Sequence, residues 1–382
     1  MTPLAVYIHW PYCARICPYC DFNVVRDRGQ VEQSDLADAI VRDLEGQAAM
    51  IGPRALVSIF FGGGTPSLMA PAQVARIIET ARRLWPSESP VEISLEANPT
   101  DAEAARFDGF ARAGVNRLSL GVQAFDDAAL KLLGRNHDAG EARRAAALGR
   151  EHFAQLSLDL IYALPGQTPQ AWAAEIEAAL AFAPDHLSPY QLTIEPGTAF
   201  DRAVTRGSLI PPGEEAAAAL YETTQTVLTG AGFEAYEVSN HARGAAARSR
   251  HNLAYWRGED YVGAGPGAHG RLTNAEGRLA TYAAPKVGDY IAAVNQTSVG
   301  FATSEALSPR DAALERLLMG LRIDEGVAWS DVAPLGLCRS NPRAADLAAL
   351  GLVKVDGDRL SATPSGRAVL DRVIAELADA GH

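Results

Sequence analysis

Several features that would place a chain in a common protein class are missing from these 382 residues. No apolar run is long enough to cross a bilayer, which excludes a membrane-spanning helix. The net charge is −12 and the arginines are scattered, so the chain lacks the basic face that a nucleic-acid binder needs. Because residues 1–10 have neither the basic start nor the apolar core of a secretory signal, we expect a cytoplasmic protein.

Cysteine is also scarce, with 4 residues in the whole chain. Three of them, Cys13, Cys17 and Cys20, lie close together near the N-terminus, and Cys338 stands alone. An odd group without a secretory signal argues against a disulfide framework, and unpaired neighbouring thiols indicate a reducing compartment. We expect Cys338 to be an ordinary structural or surface thiol.

The spacing C-x₃-C-x₂-C offers three thiolates from one loop, one fewer than the four that usually hold an iron–sulfur cluster. A [4Fe–4S] cluster on three cysteines leaves one iron with an open coordination position, where a small molecule can bind. A structural zinc site is the alternative, but it needs four protein ligands. His9 is the nearest additional ligand and no second C-x₂-C pair exists, so the pattern favours the cluster.

Residues 1–240 alternate between strand-like and helix-like segments. The predicted strands are residues 5–10, 57–61, 91–95, 117–120, 156–162 and 187–194. The predicted helices between them are residues 33–51, 71–85, 101–113, 139–151 and 169–182. Such a series implies a parallel sheet covered by helices, since parallel strands need crossover connections. The predicted fold class is therefore α/β, a complete or partial TIM-type barrel of six β/α units, (β/α)6, with its chemistry at the carboxyl ends of the strands.

A different pattern follows the barrel. We predict a core domain at residues 1–240 and a smaller C-terminal α+β domain at residues 241–382. Within the latter, the unit at about 305–382 is expected to resemble a winged helix. Its predicted parts are a helix at 308–321, a second helix ending at 346–350, a hairpin at 352–361 and a final helix at 364–379. The acidic composition suggests that this unit packs or contacts a partner and does not read nucleic acid.

Polar residues follow successive strands of the predicted barrel. The second strand leads into the glycine-rich turn GGGTP at residues 62–66, where the backbone can approach a ligand closely. Glu96 and Gln123 end the third and fourth strands, and Asp159 lies within the fifth. Each could be a satisfied buried polar group, because burying such a group without a partner is costly. Their recurrence at strand after strand, beside the cysteine loop, predicts a site.

Four segments together carry a family resemblance. They are YIHWPYC at residues 7–13, FGGGTPS at 61–67, SLGVQ at 119–123 and DLIYALPG at 159–166. With the cysteine loop, they resemble the radical S-adenosylmethionine superfamily and, within it, the oxygen-independent coproporphyrinogen III dehydrogenase family. The resemblance covers nearly the whole chain, and the ordered set of motifs is far more specific than any one of them. It implies a partial radical-SAM barrel.

The resemblance also implies cofactors and their residues. Three cysteines, Cys13, Cys17 and Cys20, would ligate a [4Fe–4S] cluster, and S-adenosylmethionine would chelate the fourth iron through its amino and carboxylate groups. The positions that match the surroundings of this ligand are Tyr7, Tyr19, Gly63 and Glu96. The positions that in the dehydrogenase surround a second S-adenosylmethionine are Gly64, Thr65, Gln123, Arg135 and Asp159.

Two departures separate this chain from the dehydrogenase members. The dehydrogenase continues its motif to a fourth cysteine, where this chain has Phe22, and it carries an extension before its cysteines, whereas Cys13 lies near the start here. A third element, HNLAYW at residues 251–256, resembles a motif of the family's heme-chaperone members. That similarity implies that His251 takes part in binding heme, and imidazole is a common axial ligand of heme iron.

Other interpretations of this histidine stay open. His251 could merely satisfy a hydrogen bond while Tyr255 and Trp256 fill a core. His241 and His269 are further candidate ligands, and we interpret the glycines at residues 265–270 as a tight loop.

Two functions of different classes remain. The favoured one is a heme chaperone that binds heme and delivers it to acceptor hemoproteins, which is not an enzyme. The alternative is a radical-SAM oxidoreductase that decarboxylates coproporphyrinogen III. A homodimer is a candidate assembly, and delivery to respiratory enzymes would imply at most transient membrane contact.

Overall fold

One mixed sheet organises most of this computed structural model, which describes residues 1–27, 31–275 and 277–378. In chain order, its strands and those of two smaller sheets are β1 (Pro3–Trp10), β2 (Tyr12–Cys13), β3 (Val25–Arg26), β4 (Ala55–Gly63), β5 (Glu92–Ala97), β6 (Arg117–Gln123), β7 (Gln155–Tyr162), β8 (His186–Gln191), β9 (Glu234–Ala235), β10 (His241–Ala242), β11 (Asp260–Ala264), β12 (His269–Asn274), β13 (Gly277–Ala283), β14 (Phe301–Ala306), β15 (Val327–Ala328), β16 (Val353–Asp356) and β17 (Arg359–Ala362).

Helices connect most of these strands. In chain order they are α1 (Val31–Ile51), α2 (Pro71–Leu84), α3 (Asp101–Ala104), α4 (Phe107–Arg112), α5 (Asp127–Leu132), α6 (Ala139–His152), α7 (Pro169–Leu180), α8 (Ala199–Thr205), α9 (Glu214–Gly230), α10 (Arg250–Trp256), α11 (Val287–Thr297), α12 (Pro309–Gly320), α13 (Trp329–Val332), α14 (Pro342–Ala349), α15 (Pro364–Arg367) and α16 (Leu370–Ala378). None of the helices in the described ranges has both the length and the apolar character that a bilayer span requires.

The centre of the large sheet is the predicted parallel series. Strands β1, β4, β5, β6, β7 and β8 lie side by side in that order, each parallel to the next. Beyond β1, the parallel β11 and the antiparallel β12, β13 and β14 extend one edge, and β10 and β9 extend the other. The α/β barrel-type prediction is confirmed. The sheet runs through the predicted domain boundary at residue 240, and that boundary stays a prediction.

Buried apolar side chains explain why these strands form the core. In β1, Leu4, Val6 and Ile8 are fully buried, and so is Trp10 at its end. The covering helices bury one stripe each. Helix α2, for example, buries side chains spaced by three or four residues, namely Val74, Ile77, Ile78 and Ala81.

Several predicted boundaries differ from the structure by a few residues, such as that of the strand predicted at 117–120, which extends to Gln123. The helix predicted at 101–113 is two short helices, because the chain tightens at Arg106, whose amide bonds to Glu103 only three residues back. The strand predicted at 187–194 ends at Gln191, because its neighbour β7 ends at Tyr162, whose carbonyl accepts one more hydrogen bond, from the Leu192 amide at 2.8 Å. The final helix predicted at 364–379 is α15 and α16, and position 379 lies outside the described residues.

A second apolar core lies near the C-terminus. It joins α12, α14 and α16 with a three-stranded sheet of order β15-β17-β16, and the hairpin predicted at 352–361 is confirmed as β16 and β17. Buried Leu317, Leu360 and Leu377 are part of this core. The comparison of this unit with a winged helix stays a prediction.

Candidate cofactor site

A cavity of about 430 Å³ lies at the carboxyl ends of the parallel strands. Strands β4 to β8 and the cysteine loop all contribute to its wall. Among the residues singled out from the sequence, those that line it are Cys13, Cys17, Tyr19, Cys20, Phe22, Gly63, Gly64, Thr65, Glu96, Gln123, Arg135 and Asp159. The structure thus brings together residues that lie as much as 146 positions apart, as the barrel topology requires.

The cysteine loop begins where β2 ends, at Cys13. Strand β2 pairs in parallel with β3 beyond the loop, and the Cys20 amide donates to the Cys17 carbonyl at 3.2 Å, which closes a turn between them. All three thiols are free. Within the described ranges, no three Cys, His, Asp or Glu side chains are grouped for one metal ion. A four-iron cluster takes one cysteine on each of three irons, so three free thiols spread along one cavity wall fit a cluster better than single-ion coordination.

The glycine triplet lets strand β4 end against strand β1. Gly63 has φ +105°, and a Cβ there would lie 2.5 Å from the His9 ring, so only glycine fits. Its exposed amide donates to the Glu96 carboxylate at 3.2 Å. The approach of His9 thus explains the glycine at this position, and the predicted backbone contact of Gly63 with S-adenosylmethionine stays a prediction.

Arg135 joins three parts of the cavity wall. One Nη donates to Asn98 and, at 3.0 Å, to the Gly121 carbonyl, and the other donates to the Cys17 sulfur at 3.3 Å. Asn98 in turn donates to the Thr65 hydroxyl at 3.0 Å. This charged group therefore sets the relative positions of the cysteine loop, β5 and β6.

Two carboxyl groups make the interior of the cavity acidic. Burial and, to a lesser extent, the nearby Asp159 raise the pKa of Glu96 to about 8, against the hydrogen bond from the Gly63 amide. Burial also raises the pKa of Asp159 to about 6, against the hydrogen bond that Ser119 donates at 2.9 Å. A cationic ligand would gain from both groups once they are ionised.

Gln123 ends β6 in an unusual conformation. Its φ is +67°, a region that a residue with a side chain adopts only at a cost. The register between β6 and β7 shifts at the same point. Local strain of this kind is typical of binding sites, and here it leaves Gln123 in the cavity wall.

Tyr7 and His251 lie apart from this group, in a smaller cavity of about 180 Å³ deeper in the barrel. Glu96 and Asp159 line both cavities and connect them. Tyr7 is in the interior, where burial raises the pKa of its phenol. The sequence alone did not indicate that Tyr7 and His251 lie in a different cavity from the other predicted site residues.

His251 is buried, 1% exposed, and both ring nitrogens have partners. Its Nδ1 lies 3.0 Å from the Ser58 hydroxyl and its Nε2 lies 2.8 Å from the Tyr255 hydroxyl. Burial lowers the pKa of the imidazole to about 3, and its ring stacks on Phe60 at 4.9 Å between centroids. In this arrangement no nitrogen is available to a metal, and the cavity is below the 300–1,000 Å³ typical of ligand sites.

The other two histidines lie elsewhere. His241 is buried at the sheet edge, with its Nε2 3.4 Å from Gln225. His269 is exposed and lies against the ring of Tyr282, 4.7 Å between centroids. The structure does not bring these two histidines to the large cavity.

Sequence reasoning missed Asn98 and Tyr190 as cavity residues. Asn98 lies just beyond Glu96 at the end of β5, and Tyr190 lies near the end of β8. The signal for both was the rule already used, that side chains at the carboxyl ends of barrel strands face the site. The carboxyl end of β8 has no charged residue that would mark it as part of a site in the sequence.

Comparisons with known proteins agree with this architecture. The family model described as Radical SAM superfamily matches residues 7–179, and the one described as HemN C-terminal domain matches residues 307–369. The solved structure titled as coproporphyrinogen III oxidase (HemN) from Escherichia coli, a radical SAM enzyme, has a TM-score of 0.80 and covers 99% of this chain and 90% of its own. At 24% identity this likeness shows the fold, and it confirms the radical-SAM barrel.

Curated relatives extend over almost the whole chain. The mouse protein named Radical S-adenosyl methionine domain-containing protein 1, mitochondrial, is 39% identical and covers 98% of this chain and 87% of its own length. Heme chaperone HemW of Escherichia coli (strain K12) is 41% identical over 73% of each protein. Heme chaperone HemW of Mycobacterium tuberculosis is 36% identical over 98% of this chain and 95% of its own length.

Proposed function

Because this chain belongs to the radical SAM family that includes heme chaperone HemW, we propose that it binds heme and delivers it to acceptor hemoproteins. The observation that carries the proposal is the extent of the relationship. A likeness confined to the barrel would be expected of any radical SAM protein. Here the curated heme chaperone of Mycobacterium tuberculosis is similar along nearly its entire length, C-terminal region included.

The rim of the large cavity supports this proposal. Two apolar side chains of the cysteine loop are exposed there, Ile16 at 47% and Phe22 at 61%, and Val24 lines the same cavity. Exposed apolar groups around a cavity are typical of a surface that binds a flat apolar ligand. Arg15 lines the same mouth and offers a charge for a heme propionate.

We propose that Cys13, Cys17 and Cys20 hold a [4Fe–4S] cluster, with S-adenosylmethionine on the open iron. When bound, the cluster supplies an electron and an iron with a free coordination position. The chain would orient the ligand: the Gly63 backbone lines the same cavity, and the positive charges of the ligand would favour the ionised form of Glu96, whose pKa is about 8 without them. Tyr19 closes the cavity beside Cys17.

A second S-adenosylmethionine is a separate part of the proposal. Its candidate residues, all on the wall of the same cavity, are Gly64, Thr65, Gln123, Arg135 and Asp159. The hydrogen bonds of Arg135 already fix the backbone and side chains of this wall.

His251 remains our proposed heme-iron ligand, and its surroundings define what ligation would require. Because His251 lies in the smaller cavity and not at the apolar rim, the heme would have to reach into the barrel interior. The Tyr255 hydroxyl must first release Nε2, since both nitrogens are bonded. Tyr255→Phe removes that hydroxyl and keeps the ring, so it should strengthen heme binding if His251 is the ligand. His251→Ala should abolish binding. If both variants bind heme as the unmodified protein does, His251 is not the ligand.

The experiment that tests the function uses anaerobically reconstituted protein. It is titrated with heme while the Soret band is followed, and it is separately given coproporphyrinogen III and S-adenosylmethionine. We expect stoichiometric heme binding and no decarboxylated product. Product that depends on S-adenosylmethionine would instead support the radical oxidoreductase, for which the cavity between Glu96 and the cysteine loop would hold the reacting groups.

We further propose heme and acceptor hemoproteins as partners, a cytoplasmic location, and membrane contact that is at most transient. A homodimer is the assembly to test, by sedimentation of the protein with and without its cluster. A heme-loaded species that sediments at the monomer mass under both conditions would contradict a role for dimerisation.

A further inference from the structure

The glycine-rich loop at residues 265–268 joins β11 to β12, and the function proposed above gives it no role. We propose that this loop and residues 284–285, together called the receiving loops, hold the cysteine loop through Asn23. Asn23 would then be a positioning residue for the iron–sulfur cluster. This inference concerns the retention of the cluster, and it does not depend on heme delivery.

Asn23 lies three residues after Cys20, at the end of the cysteine loop. Its side-chain amide donates both hydrogens to distant backbone carbonyls, to Pro266 at 2.9 Å and to Pro285 at 2.8 Å. These partners are 243 and 262 residues away along the chain. Bonds of such separation are not a by-product of local turn geometry, and they tie the cysteine loop to the far edge of the sheet.

The backbone of Asn23 is held from the other side. Its carbonyl lies 2.9 Å from Nε2 of His9, and because a carbonyl can only accept, this nitrogen carries the hydrogen. Nδ1 then accepts from the Tyr7 hydroxyl at 3.1 Å. Hydrogen bonds therefore lead from Tyr7 in the barrel interior through His9 to the Asn23 backbone, and from the Asn23 side chain to the receiving loops. The first two strengthen each other through the His9 ring.

Glycine is required in the receiving loops for this contact. Gly267 has φ +80°, and a Cβ there would lie 2.4 Å from the Asn23 amide nitrogen. The receiving loop is itself fixed, since the Gly265 amide donates to the Tyr290 hydroxyl at 3.0 Å and that hydroxyl donates to buried Asp43 at 2.7 Å. The close approach of Asn23 thus gives a physical reason for glycine at position 267, in addition to the positive φ of the turn.

The consequence concerns Cys20. Between Cys13 and Val25, the loop is bonded in its middle by the Phe200 amide, which donates to the Pro18 carbonyl at 3.0 Å. Asn23 provides the side-chain anchor after Cys20. Without it, we expect Cys20 to move more freely and to release its iron more readily.

The test compares variants after anaerobic reconstitution of the cluster. Cluster loss to an iron chelator is followed by the visible absorbance, and the thermal midpoint of each cluster-free protein is measured alongside. Since each of the two lost hydrogen bonds is worth about fivefold in an equilibrium, we expect Asn23→Ala to lose its cluster up to about 25-fold faster than the unmodified protein.

Asn116→Ala is the matched control. Asn116 also makes two backbone hydrogen bonds, with Val91 and Ile93, but it lies at the opposite ends of the barrel strands. We expect it to lower the thermal midpoint at least as much as Asn23→Ala while leaving the rate of cluster loss unchanged. Equal rates of cluster loss in Asn23→Ala and the control would overturn the proposal.

Gly267→Ala keeps the inference testable if Asn23→Ala fails to fold. The added methyl should displace the Asn23 side chain and speed cluster loss. In the double variant with Asn23→Ala the clash has no partner and only the strain of the positive φ remains, so Gly267→Ala should speed cluster loss less than it does in the unmodified protein. Additive effects of the two substitutions would contradict a shared contact.

Discussion

The protonation of Glu96 should make the stability of the cluster-free protein depend on pH. Its pKa is about 8 in the folded protein and 4.5 in an ordinary environment, chiefly because of burial. Between those values the folded state holds a proton that the unfolded state has released. The folded state therefore loses stability as the pH rises through this interval, and the loss is complete above the folded pKa.

The magnitude follows from the two pKa values. At about 1.4 kcal/mol for each pKa unit, the interval corresponds to about 5 kcal/mol if Glu96 is fully shielded. Glu96 lines a cavity that opens to solvent, which screens part of the effect. We therefore expect the free energy of unfolding to fall by about 3 kcal/mol between about pH 5 and pH 9 on this account.

Glu96→Gln isolates this contribution, because the amide oxygen can still accept from Gly63 while no proton is exchanged. Urea unfolding of metal-free, reduced protein across the pH range is the assay. The exposed Glu88→Gln removes the same charge and serves as control. Asp159→Asn should shift the Glu96 transition to lower pH, since Asp159 raises its pKa. If Glu96→Gln and the unmodified protein lose stability in parallel as the pH rises, the reasoning is refuted.

Three further substitutions test other parts of the cavity. Arg135→Ala removes the group that joins Asn98, Gly121 and Cys17. Calorimetry should then show that S-adenosylmethionine binds at least tenfold more weakly, by about 1.4 kcal/mol or more. Unchanged affinity would argue against a role of Arg135 in positioning the cavity wall. Gln123→Gly relieves the strain of a φ of +67°, so the thermal midpoint should be unchanged or higher, with a gain in stability of about 1 kcal/mol at most. A marked decrease of the midpoint would mean that the conformation is not strained. Phe22→Ser should weaken heme binding about tenfold or more with no change in cluster content, and loss of the cluster instead would place Phe22 with the cysteine ligands.

The sequence predicted the barrel well because its signals are local. Each parallel strand is a short apolar run followed by an amphipathic helix, and strand order then follows from the βα connections. The residues of the cavity wall could be predicted for the same reason, since the carboxyl ends of parallel strands meet at one side of the barrel. Glu96, Gln123 and Asp159 were found by this rule, and Tyr190 could have been.

What the sequence could not supply are contacts made across the fold. His251 and Ser58 are 193 residues apart, and nothing in either segment indicates that the imidazole is bonded at both nitrogens. The bonds from Asn23 to the receiving loops span even longer separations. Tyr7 lies in the smaller cavity because alternate residues of a strand face opposite sides, and its depth depends on how the strands curve together.

The most direct test of the proposed function is the transfer of heme itself. Protein with a reconstituted cluster is loaded with heme, freed of excess, and mixed with an apo-hemoprotein under anaerobic conditions while the acceptor's own heme spectrum is followed. We predict transfer in near-stoichiometric amounts, faster than from heme-loaded albumin at the same concentration. Heme that stays on the protein, or passes to the acceptor no faster than from albumin, would contradict a role in heme delivery.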